Sequence, residues 1–275
     1  MEKNNYGFLA PVIEDDNYMY LGATKLPRIV YQEDGNWTEY LPENENQKKY
    51  GVETQACTIY GTLNAGVEIL IKRKYNLDVN YSDRFTSIMA ETKPNGNSPH
   101  KVAETIREHG LIPESLLQFD RTIESWNDYH SPKPMSQAYK DVGAQWKKHW
   151  EFLHEWVFKG GAPEEKHLKI AEALQYSPVG VSVDAWNKTG DLYTKPVGGR
   201  DNHWCTCYNI DAYGNYDILD HYDGYLKKLA PNYDFGFAKR YHIEKRMIPT
   251  PPKPVAPYSA EWFRRWFKSF KLMGE

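Results

Sequence analysis

The chain has 275 residues, 40% hydrophobic and 26% charged, with a formal net charge of -3. That is enough chain for a full core in one large domain or two lobes, and the composition is ordinary for a globular protein. The near-neutral charge excludes a nucleic-acid footprint, and only three cysteines are present, too few for a disulfide framework.

Cys205 and Cys207 stand two apart on one expected strand, so they share a face without bridging, which points to a reducing compartment. The polar start Met1-Glu2-Lys3-Asn4-Asn5-Tyr6 reads as no signal peptide. No apolar run approaches the ~20 residues of a membrane span.

In chain order, residues 1–50 read as irregular, punctuated by Gly7, Pro11, Pro27 and Pro42. A polar loop, Leu41 to Gln47, leads to a helix from Thr54 to about Tyr75. There Ile59, Leu63, Val67, Leu70 and Ile71 recur at helical spacing, with Thr54 as the expected N-cap. Helices are also expected over Ser82–Glu91 and Ser98–Glu108, separated by the turn Asn95-Gly96-Asn97. Gly110 and Pro113 stop the second of these.

A polar, aromatic stretch follows, with a helix expected from Ser136 to Phe158 and ended by Gly160-Gly161. Pro163-Glu164-Glu165 starts a helix through Leu174. Beyond Pro178 the pattern turns to strands: Val179–Val183, then His203–Ile210 and Tyr216–Asp220 around the turn Ala212–Asn215, then Tyr225–Leu229. Helices come first and strands second, which reads as an α+β fold of two lobes with a cleft between them. The main domain spans 1–247. A stiff Pro-rich linker, 248–258, precedes a tail, 259–275, whose helix Ala260–Leu272 has one aromatic face and one basic face. That tail suits docking on the main domain, on a protein partner or on an anionic membrane surface.

The chemistry concentrates at Cys57, His203 and Asp220. A cysteine in the first turn of a helix gains thiolate character from the helix N-terminus and from a neighbouring imidazolium. His203 opens a strand hairpin whose second strand ends in Asp220. Antiparallel pairing brings those two ends together, so Asp220 is placed to orient the far ring nitrogen. His221 and His242 compete with His203 for this role. Cys57 as nucleophile, His203 as base and Asp220 as orienter make a cysteine-histidine hydrolase. The oxyanion needs a donor besides the Cys57 N–H, and Gln47 and Gln55 are the nearby amides, with Gln47 better placed to fold back over the thiol. His203, Cys205 and Cys207 lack the second ligand pair of an ordinary zinc site, so no metal is expected.

These segments together resemble a papain-like cysteine peptidase, over about residues 40–230. Papain-type enzymes place the histidine roughly 130–150 residues after the cysteine, and His203 follows Cys57 at that distance. Asn46-Gln47 followed by Gln55-Ala56-Cys57 resembles the oxyanion glutamine and nucleophile segment. Tyr81-Ser82-Asp83-Arg84-Phe85 resembles the helix start that follows the nucleophile helix, and Asn95-Gly96-Asn97 the glycine loop lining the peptide groove. Gly110-Leu111-Ile112-Pro113-Glu114 resembles a family turn. Ser177-Pro178-Val179-Gly180-Val181-Ser182-Val183 resembles the strand before the histidine, Asp201-Asn202-His203 its entry, and Ile218-Leu219-Asp220 the strand carrying the orienting residue. The chain is most similar to the compact members found in tailed-phage and bacterial genomes, which also favour Asp at the third position.

The resemblance implies a papain-like two-lobed fold and cleavage of peptide bonds through an acyl-enzyme. The substrate would be a peptide or protein, the groove would be lined by Gly96, and no cofactor is implied. The location would be cytoplasmic or virion-associated. Asparagine should serve nearly as well as Asp220. Three departures stand out. The half-cystine beside the nucleophile is missing, Gln47 lies ten residues before Cys57, and no long propeptide precedes Cys57. Two alternatives stay open: a cell-wall amidase, and a catalytically idle papain-like adaptor such as a virion component.

Overall fold

The computed structural model of the protein describes residues 5–11, 26–222 and 224–246. The linker 248–258 and the tail helix expected within 259–275 lie outside the described residues.

A small hairpin, β1 (Lys48–Lys49) and β2 (Val52–Glu53), precedes the first long helix. That helix begins at Cys57 rather than Thr54. α1 (Cys57–Leu63) passes through a π-helical turn (Asn64–Glu68) into α2 (Ile69–Tyr75). Thr54 does not cap it. Its hydroxyl donates to the Gln47 carbonyl at 2.9 Å, and the N-cap is Ala56. Every residue of α1 is buried, so this helix is enclosed by the fold. α3 (Asp83–Met89) and α4 (Pro99–His109) start as expected. Ser82 and Ser98 accept hydrogen bonds from the Phe85 and His100 backbone N–H groups. α5 (Trp126–Tyr129), α6 (Gln137–His149) and α7 (Pro163–Leu174) complete the helices named here.

The expected helix Ser136–Phe158 is two elements. α6 stops at His149, and Trp150 is already extended at φ -126° and ψ 141°. β3 (Trp150–Lys159) follows without a loop. The aromatic and β-branched run Trp150-Glu151-Phe152 to Trp156-Val157-Phe158 favours a strand. With no Gly or Pro between the two elements, the boundary carries no punctuation.

β3 joins β4 (Val179–Val183), β5 (Lys188–Thr189), β6 (Leu192–Tyr193), β7 (His203–Ile210), β8 (Tyr216–Leu219), β9 (Leu226–Leu229) and β10 (Phe237–Lys245). They form one sheet of order β3-β10-β4-β7-β8-β9-β6-β5, antiparallel except between β6 and β9. The helix-then-strand order therefore holds only broadly, because β3 precedes α7 and α7 packs on the sheet.

Trp204 on β7 sets how closely α1 approaches that sheet. Its ring is fully buried, and a Cβ at Gly61 of α1 would come within 2.7 Å of its Cδ1. A Cβ at Gly180 of β4 would come within 2.6 Å of its Cζ2. The indole is thus wedged between two glycines, and Thr206 ties the same helix down by donating to the Gly61 carbonyl at 3.2 Å. Gly61→Ala should lower stability by about 1–3 kcal/mol through overpacking, read as a shifted denaturant midpoint at unchanged slope.

Beside the π turn lies an acidic cluster. Glu68 accepts from the Tyr81 N–H, Asp83 from the Tyr129 hydroxyl at 2.6 Å, and Glu114 from the Phe119 N–H. Burial pushes Glu45 up to about 7 and Glu114 up to about 9, with the Asp83 charge adding to both. Burial also drives Glu68 well above its ordinary range. Carboxyls raised in the fold bind protons more tightly there than in the unfolded chain. Their stabilisation is complete below the unfolded value near ~4.3 and disappears as pH rises through the folded values. The melting temperature should therefore fall between about pH 4.5 and about pH 9, and Glu68→Gln should flatten that fall.

Candidate functional site

The starts of α1 and β7 meet at one end of the sheet. Cys57 is the first residue of α1 and is fully buried, and its thiol lies against the backbone of Trp204, the neighbour of His203. The β7–β8 register sets Thr206 opposite Leu219, which brings Asp220 opposite Cys205, on the same face as His203. His203 Nε2 and Asp220 Oδ1 are 2.6 Å apart, with both side chains buried. His203 Nδ1 has no hydrogen-bond partner among the described residues. The imidazole is therefore fixed through one nitrogen and leaves the other for chemistry. Burial alone would raise the Asp220 carboxyl, but the His203 imidazole and the Lys227 ammonium, 2.6 Å from Oδ2, hold it well below the usual carboxylate range.

Gln47 reaches the site despite its distance along the chain. The β1–β2 hairpin takes up the intervening residues through the turn Tyr50-Gly51, both at positive φ. Gln47 N–H donates to the His221 carbonyl at 2.9 Å, which ties the loop to the segment just after Asp220. Its side-chain Nε2 donates to Glu53 Oε1 at 2.9 Å, to the Tyr222 hydroxyl at 2.7 Å and to the carbonyl of Tyr6 at 3.2 Å. Gln55 sits at φ +56°, and its backbone N–H donates to Glu53 Oε1 at 3.0 Å.

That Tyr6 carbonyl belongs to an extended segment, residues 5–11, laid across the site. Tyr6 N–H donates to the Asn202 carbonyl at 3.0 Å, and its ring stands edge-on to His203 and Tyr222. Asn97 N–H donates to the Gly7 carbonyl and Leu9 N–H to the Asn97 carbonyl, both at 2.9 Å. Gly96 and Gly7 meet backbone to backbone. A Cβ on Gly96 would lie 1.9 Å from the Gly7 carbonyl oxygen, and one on Gly7 would lie 2.3 Å from that of Gln55. Phe8 stacks on Trp204 with ring centroids 5.9 Å apart. With this segment in place, burial pushes the Cys57 thiol well above its ordinary value, and the charges of Glu53 and Asp220 add to it. The lowering expected from the helix start is outweighed in this closed arrangement.

The competing histidines sit elsewhere in the network. His221 stacks on Tyr60 at 5.4 Å, and burial lowers it to about 3. His242 lies on β10 beside Glu244, 3.7 Å away. Among the described residues, one group of potential metal ligands converges within 4.8 Å, and it is His203, Cys205 and Asp220 rather than the Cys205–Cys207 pair. The Lys227 ammonium on the same carboxylate opposes a second cation. Burial, with Asp220 alongside, also keeps the Cys205 thiol well above its ordinary value.

Sequence reasoning missed Tyr6, Glu53, Tyr222 and Lys227. Glu53 and Tyr222 carry no local signal, because their hydroxyl–carboxylate contact at 2.7 Å spans most of the chain. Lys227 had one, as a lysine in an expected strand beside Asp220.

No protein-family model matches the chain, and comparison with curated proteins found no match. Solved structures do match. Xylellain, a cysteine protease from Xylella fastidiosa, aligns over 90% of this chain and 97% of its own at 15% identity and a TM-score of 0.57. Digestive procathepsin L 3 of Tenebrio molitor larval midgut aligns over 86% and 76% at 14% identity and 0.55. A Carica candamarcensis cysteine protease in complex with E-64 aligns over 78% and 98% at 13% identity and 0.51. The fold is papain-like, of the α+β class. Among the described residues, no helix is long and apolar enough to cross a membrane.

The 5–11 segment should control access to Cys57. In Gly7→Val the new side chain meets the Gln55 backbone, so the segment should lift. Opening eased by ~1.4 kcal/mol corresponds to about tenfold faster alkylation of Cys57 by iodoacetamide. Cys205 and Cys207 should react as before. Peptide mapping of the alkylated sites gives the three rates separately.

Proposed function

We propose that the protein is a thiol hydrolase that cleaves peptide amides through an acyl-enzyme on Cys57. The observation that carries this is the Gln47 amide donating to a peptide carbonyl, that of Tyr6, beside the buried Cys57 thiol and the His203–Asp220 pair. Residues 7–9 bond to the Asn97 backbone and pack on Gly96, the loop this reading assigns to the substrate groove. In this assignment residues 5–11 close the groove, and substrate takes their place when they leave.

The steps follow from the geometry. His203 Nδ1, left unpartnered while Nε2 is held by Asp220, takes the thiol proton as Sγ bonds to the scissile carbonyl carbon. The carbonyl oxygen gains a negative charge where Gln47 Nε2 and the Cys57 backbone N–H can donate to it. Glu53 and Tyr222 also accept from Gln47 Nε2, which has two hydrogens, so one of these bonds is released as the amide turns to the oxyanion. The imidazolium passes its proton to the leaving amine, the C–N bond breaks and a thioester remains. His203 then takes a proton from water, the hydroxide adds to the thioester, and the thiol leaves with a proton returned from the ring. Asp220 stays ionised throughout and orients the ring.

An epoxide-type cysteine-peptidase probe, followed by mass spectrometry, tests this. The label should map to Cys57 and disappear in Cys57→Ala and His203→Ala. Gln47→Ala should lower kcat on a released peptide substrate about 10²–10³-fold, the usual loss for one oxyanion donor. Cleavage of purified cell wall in preference to peptides would indicate the amidase instead. An unlabelled Cys57 in both the intact protein and Gly7→Val would indicate an idle fold.

A further inference from the structure

The carboxylate of Asp220 is shared between two groups, and the second has no part in the steps above. Lys227 Nζ lies 2.6 Å from Asp220 Oδ2, with 5% of the lysine side chain exposed and none of the aspartate. The ammonium also donates to the Gly224 carbonyl at 2.9 Å and stands 5.2 Å from the centre of the Trp186 ring. Trp186 in turn packs edge-on to His203 with centroids 5.8 Å apart. Two features of the backbone hold the lysine there. Lys227 pairs with Ile218 across β8–β9, and Asp220 N–H closes the connecting loop on the Tyr225 carbonyl at 2.7 Å. Lys227 is therefore built into the strand next to the one that carries Asp220.

We propose that Lys227 is a positioning residue, whose ammonium neutralises Asp220 so that His203 meets a near-neutral acceptor in place of a bare carboxylate. This rests on the thiol-hydrolase reading of His203. A lone buried carboxylate 2.6 Å from the ring would stabilise imidazolium strongly, making the ring a stronger base towards the thiol but a poorer acid towards the leaving amine. Paired with a buried ammonium, the same carboxylate keeps its directional hydrogen bond while losing most of its field, which is what a neutral amide would present. The pair works only as a unit. Asp220→Asn by itself would leave the lysine buried without its counter-ion, so asparagine is not a mild replacement in this chain.

The groups facing this carboxylate and ring are few. Asp220 faces His203, Lys227, the Cys205 thiol at 3.6 Å and the buried His221 next in sequence. His203 faces the rings of Tyr6, Tyr222 and Trp186, and the Cys57 thiol with Glu53 lies in the same buried network. Lys227 is the lysine paired with Asp220.

The test is a double-substitution cycle on the full chain, read by NMR titration of the ¹³Cε1 resonance of His203, assigned with His203→Gln. Lys227→Met should raise the titration midpoint of His203 by about one unit or more, and Lys227→Arg should leave it near the parent value. Asp220→Asn should lower it, and Asp220→Asn with Lys227→Met should return it to within about half a unit of the parent. The second-order rate of epoxide labelling should follow the same order, with the double variant between Asp220→Asn and Lys227→Met. If Lys227→Met does not fold, Lys227→Gln keeps a donor for Oδ2 without the charge and gives the same comparison. An unchanged midpoint in the charge-removed variant, or a double variant displaced as far as a single one, overturns the proposal. If the midpoints move as expected but neither the parent protein nor Gly7→Val labels at Cys57, the hydrolase reading fails and the charge coupling stands.

Discussion

The close approach of the first long helix to the sheet is the constraint on which the site depends. An indole wedged between Gly61 and Gly180 sets the separation of α1 and β7, and that separation decides whether a thiol on one can address an imidazole on the other. Packing of this kind is unforgiving, because interiors are as dense as molecular crystals and one added methyl must displace its neighbours. Gly66 repeats the pattern one turn on, where a Cβ would sit 3.0 Å from the Tyr241 ring. The helix therefore meets the sheet through small residues along its length, with the reactive cysteine at the end where the strand carrying the histidine begins.

Around that contact, charge is arranged in closed groups. Asp220 is held from one side by the His203 imidazole and from the other by the Lys227 ammonium. Glu53 is held by Gln47, the Tyr222 hydroxyl and the Gln55 backbone N–H, which makes one cluster from two separate parts of the chain. Buried carboxylates persist only with such partners, since desolvation alone would neutralise them. The acidic cluster beside the π turn is the contrasting case. There the carboxyls crowd one another and burial favours their protonated forms. The same fold thus holds the Asp220 carboxyl low while it raises those of Glu45 and Glu68.

The segment 5–11 links these features to access. It adds a backbone partner to the Asn97 loop, seats a carbonyl on Gln47 and covers both Cys57 and His203. A thiol that is buried and raised in this way is quiet. Exposing the groove would remove the largest cause of its elevation, which is desolvation. Reactivity and exposure are therefore coupled through one short stretch of chain.

Much of this could be read from residue order, because it depends on local pattern. Helical stretches showed at Ser82 and Ser98, a proline with two acids announced α7, and a Gly-Asn turn between strand-like runs announced the hairpin joining His203 to Asp220. An α+β class followed from those elements in that order, and the papain-like fold from the resemblance of the segments around them. The α6–β3 boundary did not show, because the chain passes from helix to strand within one residue and the aromatic run Trp150–Phe158 suits either state. β10 did not show either. Its buried Lys239 and Arg240 look like surface residues until Trp156 and Glu155 of the neighbouring strand supply partners. What the residues determine by themselves is periodicity, capping and the identity of the reactive groups. The lysine behind the aspartate, the peptide carbonyl on the glutamine and the wedge that sets their spacing were decided by the tertiary structure, since each joins residues whose interaction energy exists only once distant segments are packed and water is excluded.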